Sequence, residues 1–332
     1  MKVAKLFGVA AVLLALAAPG AVQAAETTIK FPVEYNADVT PGLANQEFVK
    51  LIEERSNGEI KVEFFPGGSL YKGLDVLQAV LRGDAHMTTL VSVYWSAISP
   101  QLAIFDLPYA FPTHEAFYQA TEDQAFMSKV FAEVEAKGGT VIGVLPYDYL
   151  LPGNTQRATV MPTDFDGLKL RALGKTNAKT LESLGAQAVP INITEVNGAL
   201  EQGVIDGLNT PADAFISYKW DETVKHVTYA KYYFAFYPWA VNAEWWEGLS
   251  EAHRTLIQDT VTEVTVRHRE RARQAAADAM EKLKAAGVQL HEQTEEEQGA
   301  WMSTVAPVWS EAEETYGKPI VDALRSASGT KM

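Results

Sequence analysis

The sequence predicts an α/β protein of two lobes, with a ligand cleft between them and one long helix spanning both. Three observations lead there. Segments with the two-residue period of strands alternate with segments of helical period, the pattern of a largely parallel sheet covered on both faces. At 332 residues the chain exceeds one ordinary domain and suits two. From Leu249 to Ala286 there is neither proline nor glycine, so a helix of about 36 residues would reach about 54 Å, more than the width of one lobe. A helix broken by a kink is the alternative.

The elements follow in order. Lys2 and Lys5 precede an apolar run from Leu6 to Ala18, Pro19-Gly20 breaks it, and Val22-Gln23-Ala24 suits a cleavage site. Residues 1–24 therefore read as a secretory signal peptide, cleaved after Ala24. Thr28 to Val33 alternates as a first strand. Thr40-Pro41 opens a helix through Arg55, with proline in the first turn and Leu43, Phe48, Leu51 and Ile52 on one face. Glu59 to Phe65 is a strand, Leu74 to Arg82 a helix, Asp84 to Leu90 a strand, Glu115 to Lys137 one helix, and Val141 to Leu145 a strand. The first lobe is expected over 25–150. Leu151 to Pro162 crosses to a second lobe, 151–238, and 239–332 returns to the first with the long helix and an acidic tail that ends loosely in Ser-Ala-Ser-Gly-Thr-Lys-Met.

Within the second lobe the pattern is two short strand-helix cycles. Leu168 to Arg171 is a strand, Lys175 to Leu184 a helix stopped by Gly185, and Ala188 to Ile191 a strand. Thr194 is placed as N-cap of a helix over Glu195 to Gln202, which Gly203 ends before the strand Val204 to Gly207. Arg171 thus stands where a strand runs out into a loop. Ligands of open α/β sheets lie beyond the carboxyl ends of strands, and the arginine fork fits a carboxylate with two parallel bonds. The plainer role for such a residue is an internal ion pair.

The order Asp-x-x-Gly-Leu-Lys-x-Arg, Leu-Gly-Ala-x-x-x-Pro, Glu-Val-x-x-Ala-Leu-x-x-Gly-x-x-Asp-Gly across 164–207 resembles the periplasmic solute-binding proteins of tripartite ATP-independent (TRAP) transporters, of the dicarboxylate-binding type. Ser56 to Leu70 and Phe105 to Phe111 resemble the same family, so the likeness spans about 28–290. It implies a type II-like periplasmic binding-protein fold. It implies too a monomer that captures a small organic acid and delivers it to membrane permease subunits, one small and one large, with no cofactor. On this resemblance Arg171 pairs with the substrate carboxylate. Arg157 is either a second donor to the acid or structural. Asn209 and Thr210 occupy a place where many relatives have Glu-Asn or Glu-Trp, and ligand contact is expected from at least one of them. Glu34 to Val39 resembles ectoine-binding members, although Ile193 and Asn197 replace the aromatic residues of that cage. Glu34 and Tyr35 are therefore pocket candidates without a substrate, Glu34 suited to an amine, amidine or hydroxyl. Tyr94 and Phe234 fall at cleft positions, among aromatics that mostly serve core packing.

Composition narrows the alternatives. The formal charge of −14, or −16 once Lys2 and Lys5 leave with the signal, disfavours nucleic acid and anionic lipid. Without cysteine there is no disulfide, thiolate metal site, cysteine nucleophile or lipidated cysteine. The six histidines include no pair at helical metal-ligand spacing, and no Gly-x-Ser-x-Gly elbow or dinucleotide fingerprint occurs. A periplasmic hydrolase or lyase for organic acids and a ligand-sensing receptor domain stay open as rival functions. Arg267, Arg269, Arg271 and Arg273 wrap around the long helix and read as solvated or as a docking surface.

Overall fold

β1 (Thr27–Pro32) and β2 (Ile60–Phe65) pair in parallel because α1 (Thr40–Arg55) returns the chain over one face between them. The structure is a computed structural model describing residues 27–332, so the signal peptide and its cleavage site lie outside the described residues. α2 (Leu74–Arg82) leads to β3 (Met87–Thr89), which lies beside β1 with Thr88 Oγ1 donating to the Pro32 carbonyl at 2.8 Å. α3 (Ser92–Trp95) and a 3-10 stretch follow. The single helix expected over 115–137 is two, α4 (His114–Glu122) and α5 (Gln124–Ala136). The break is Asp123, whose carboxylate accepts the free N–H groups of Ala125 and Phe126 and so starts a new helix.

β4 (Gly139–Tyr149) runs straight into β5 (Leu151–Asn154), and the chain leaves the two-stranded and three-stranded sheets of the first lobe for a six-stranded second-lobe sheet. There β6 (Lys169–Ala172), α6 (Lys175–Ser183) and β7 (Gln187–Pro190) form the first strand-helix cycle. α7 (Val196–Glu201), β8 (Gly207–Thr210), α8 (Ala212–Ser217) and β9 (His226–Tyr229) complete it. β10 (Phe234–Asn242) then pairs along its length with β4 and at its end with β3. The expected changeover at 238 to 239 thus falls inside one strand. After α9 (Ala243–Gly248) and α10 (Glu251–Ala285), β11 (Gln289–Glu292) joins β9 in the six-stranded sheet, whose order is β11-β9-β5-β8-β6-β7. The expectation of largely parallel sheets is corrected to mixed ones. β10 is antiparallel to both neighbours, and β5 is antiparallel to β8 and β9, because the chain crosses between lobes as extended strands instead of helices.

α10 is a continuous helix of 35 residues. It packs on β4 and α1 of the first lobe and on α8 and β11 of the second, so it braces both lobes. The arginines expected to be solvated are engaged instead. Arg267 and Arg271 both reach Glu47 of α1, Arg269 pairs with Glu122 of α4 while lying over the Tyr118 ring, and Arg273 reaches Glu115. Exposed pairs of this kind each contribute about 0 to 1 kcal/mol, so their effect is to register α10 more than to hold it. α11 (Glu295–Ala312) and α12 (Lys318–Ser328) close the chain. Trp301 Nε1 donates to Val160 in one lobe and Trp309 Nε1 to Pro108 in the other. The expected loose end is tied down: Thr330 Oγ1 donates to Tyr109 and Arg325 Nε to the Met332 carbonyl.

His268 of α10 is wholly buried, with one ring nitrogen 2.7 Å from the Pro146 carbonyl while Nδ1 has no partner. Burial lowers its pKa to about 4 from 6.5, with Arg271 nearby acting in the same sense and the Pro146 carbonyl and Glu47 opposing. Above 6.5 the imidazole is neutral in both folded and unfolded chains; as pH falls from 6.5 to 4 only the unfolded chain takes the proton. That difference removes about 3 kcal/mol of stability across the window. Thermal melts over this range are expected to show the loss, and His268→Gln, which keeps a donor for Pro146, should flatten that part of the profile.

Candidate functional site

β6 ends at Ala172, and Arg171 lines the space between the two lobes. Its side chain is 3% exposed, and Nε donates to the Ile191 carbonyl at 2.9 Å. Among the described residues no carboxylate lies within 4.0 Å of its guanidinium. Burial lowers its pKa, with Tyr94 and Glu34 acting the other way, yet a guanidinium stays charged in any protein. It is therefore a desolvated cation without a counter-ion among the described residues.

Two cavities meet at this group. The inner one, about 40 Å³, is lined by Glu34, Tyr35, Leu90, Val91, Tyr94, Leu150, Ala235 and Tyr237 on one side and Arg171, Leu173, Ile193, Thr210 and Pro211 on the other. The outer one, about 900 Å³, runs from Arg171, Tyr94 and Asn192 past Lys175 and Lys179 to the end of α11. Gly174 permits the approach: it adopts φ of +106°, and a Cβ there would lie 2.3 Å from Cγ2 of Val93 in the opposite lobe.

Glu34 is 4% exposed, and its Oε1 accepts the Gly73 N–H at 3.0 Å. Burial raises its pKa, against the Tyr94 hydroxyl, the Arg171 charge and the Gly73 N–H. The Tyr94 hydroxyl donates to Asn192 Oδ1 at 3.2 Å across the cleft, and burial raises its pKa above the ordinary phenol value. Tyr35 lines the inner cavity with its ring, while its hydroxyl is occupied by Thr89 and Asn45. Thr210 lines it directly.

Three candidates stand elsewhere. Asn209 is fully buried beneath Arg171 and lines neither cavity. Its Nδ2 donates to the Arg171 carbonyl at 2.8 Å, and its Oδ1 accepts from Asn177 and Tyr232. All of its polar capacity goes into holding the end of β6, because β8 extends to Thr210, three residues past the strand end expected at Gly207, and places Asn209 inside the strand. Arg157 is exposed, with its guanidinium on the carbonyls of Asp164 and Asp166, where it staples a loop. Phe234 is core: it stacks on Phe117 at 4.4 Å and meets Tyr149 edge-on. Tyr237, Leu173 and Asn192 line the cavities as well, beyond the residues expected from the sequence. Asn192 had a sequence signal. It and Glu195 form the capping box that opens the next helix, two residues before the Thr194 cap expected.

The model for bacterial extracellular solute-binding proteins, family 7, matches residues 34–315. The chain belongs to this family. As a solute-binding protein of family 7 it shares 31% identity over 97% of both chains with the C4-dicarboxylate-binding periplasmic protein DctP of Rhodobacter capsulatus. Solved structures repeat its two-lobed fold. The sugar acid binding protein DctPAm of Advenella mimigardefordensis, in complex with galactonate, aligns with a TM-score of 0.87 at 23% identity, covering 91% of this chain and 97% of that one. A TRAP periplasmic solute binding protein of Shewanella oneidensis with bound succinate gives 0.86 at 24%, covering 92% and 100%. No described helix of this family member is long and apolar enough to cross a membrane.

Proposed function

We propose that this family 7 protein captures a small organic acid between its lobes and delivers it to a TRAP permease made of a small and a large membrane subunit, acting as a monomer after loss of residues 1–24. The observation that carries this reading is Arg171, a desolvated cation facing an interlobe cavity with no carboxylate partner among the described residues. An incoming carboxylate supplies the missing counter-ion. Since the cavity walls come from both sides, only the closed arrangement completes the ligand's surroundings, and binding favours closure. The sheet memberships support lobes that exchange at 150–151 and again near Tyr232-Tyr233, with β11 counted in the second. The named relatives and neighbours, which carry dicarboxylate and sugar-acid ligands in their descriptions, support the carboxylate class. A thermal-shift screen over monocarboxylates, dicarboxylates and sugar acids tests it. A true ligand at 100 times its dissociation constant adds about 2.7 kcal/mol of stability. No shift with any acid would refute the reading.

A further inference from the structure

The inner cavity faces one cation and one carboxylate that do not touch. Arg171 enters from the end of β6 and Glu34 from the loop after β1, and no Arg171 to Glu34 pair falls within 4.0 Å. We infer that the ligand is a short monocarboxylic acid carrying a hydrogen-bond donor, a hydroxyl or an ammonium, close to its carboxylate; this rests on the carboxylate-binding reading above.

Charge comes first. A single carboxylate neutralises Arg171. A second one in the same cavity would meet Glu34 after both had lost water, and like charges at that range repel strongly in a weakly polar surrounding. Apart from Arg171 the lining holds no cation: Leu90, Leu150, Leu173, Ile193 and Pro211 are apolar, and Tyr94, Thr210 and Tyr237 carry only neutral hydroxyls. The next cations, Lys175 and Lys179, line the outer cavity, and Lys179 is paired with Glu311. Acceptor capacity points the same way. Glu34 Oε1 takes the Gly73 N–H and the Tyr94 hydroxyl acts on the same carboxylate, which leaves it lone pairs for a ligand donor on the cavity side. A ligand lacking a donor leaves these without a partner in a dry site, which lowers affinity; a hydroxyl or ammonium fills them. Size is the third constraint. About 40 Å³ corresponds to roughly three water-sized positions, so the part of the ligand held between Arg171 and Glu34 is short, and any longer part would extend into the outer cavity that meets it at Arg171.

Calorimetric titration of the mature protein with L-lactate, L-alanine, propionate, succinate and galactonate tests this. Lactate or alanine is expected to bind at least tenfold tighter than propionate, succinate and galactonate, and the better of the two identifies the donor. Glu34→Gln keeps an oxygen for Gly73 but removes the negative charge, and should shift the ratio of succinate to lactate affinity by at least tenfold toward succinate. Succinate or galactonate equal to the better of lactate and alanine overturns the inference, as does an unchanged ratio in Glu34→Gln. Succinate binding that Arg171→Ala removes would leave the carboxylate reading standing while this one fails. No binding by any of the acids defeats both.

Discussion

Arg171→Ala is expected to fold and to lose its ligand. Truncating one member of a desolvated, hydrogen-bonded charge pair costs about 2 to 5 kcal/mol, which is roughly thirty-fold to several thousand-fold in affinity. The free protein should not weaken in proportion. Its guanidinium is buried with one hydrogen bond, to Ile191, and no ionic partner among the described residues, so removing it also removes an uncompensated charge. The melting temperature of the unliganded variant should therefore equal or exceed that of the parent, the reverse of what a structural ion pair predicts. Arg171→Lys separates charge from shape. Lysine keeps the cation but not the fork, nor the geometry that fixes Nε on Ile191, and should recover only part of the affinity. Calorimetric binding by Arg171→Ala that matches the parent would remove this residue from the site.

Much of this arrangement was legible in the residues. Strand-to-helix alternation placed Arg171 at a strand end, and the run without proline or glycine gave α10 its length. What stayed hidden is set by tertiary packing. A strand of four residues such as β8 carries too little periodicity to fix its register, and a shift of three residues put Asn209, expected beyond the strand as a ligand-contact candidate, inside it as the buried support of the Arg171 backbone. Tyr232, which bonds Asn209, lies in the crossover between sheets, so no local pattern announces the contact. Arg157 and Arg171 look alike in sequence, each near a strand terminus. Only the structure tells the exposed one, satisfied by two backbone carbonyls, from the buried one with two unfilled nitrogens. The residues of β10 split by the two-residue period: Ala235 and Tyr237 face the cavity, while Phe234 and Phe236 pack on Phe117.

Asp213→Ala should weaken ligand binding without removing a ligand contact. Asp213, in the first turn of α8, reaches out of its own lobe to the start of α1, where Val39 at the N-cap has no side-chain oxygen to offer. Asp213 Oδ2 accepts the Thr40 N–H at 2.8 Å and the Thr40 hydroxyl, and Oδ1 accepts the Tyr147 hydroxyl at 2.6 Å. A helix of 16 residues in one lobe is thus capped, and its dipole opposed, by a carboxylate from the other. Ser217 to Asp38 and the Asn36 N–H to Tyr218 flank the same junction at 2.6 and 3.0 Å. Truncation strands three donors on residues that are nearly fully buried, at about 3 to 5 kcal/mol for the closed arrangement. If those bonds exist only when the lobes are shut, affinity falls by roughly a hundred-fold or more. Liganded Asp213→Ala should then scatter X-rays as a more extended particle. Asp213→Asn, which retains an acceptor, should suffer less. Bonds that persist in the open form would instead lower the melting temperature of the free protein and leave affinity untouched, and that result would show the α1–α8 junction to be permanent instead of a latch.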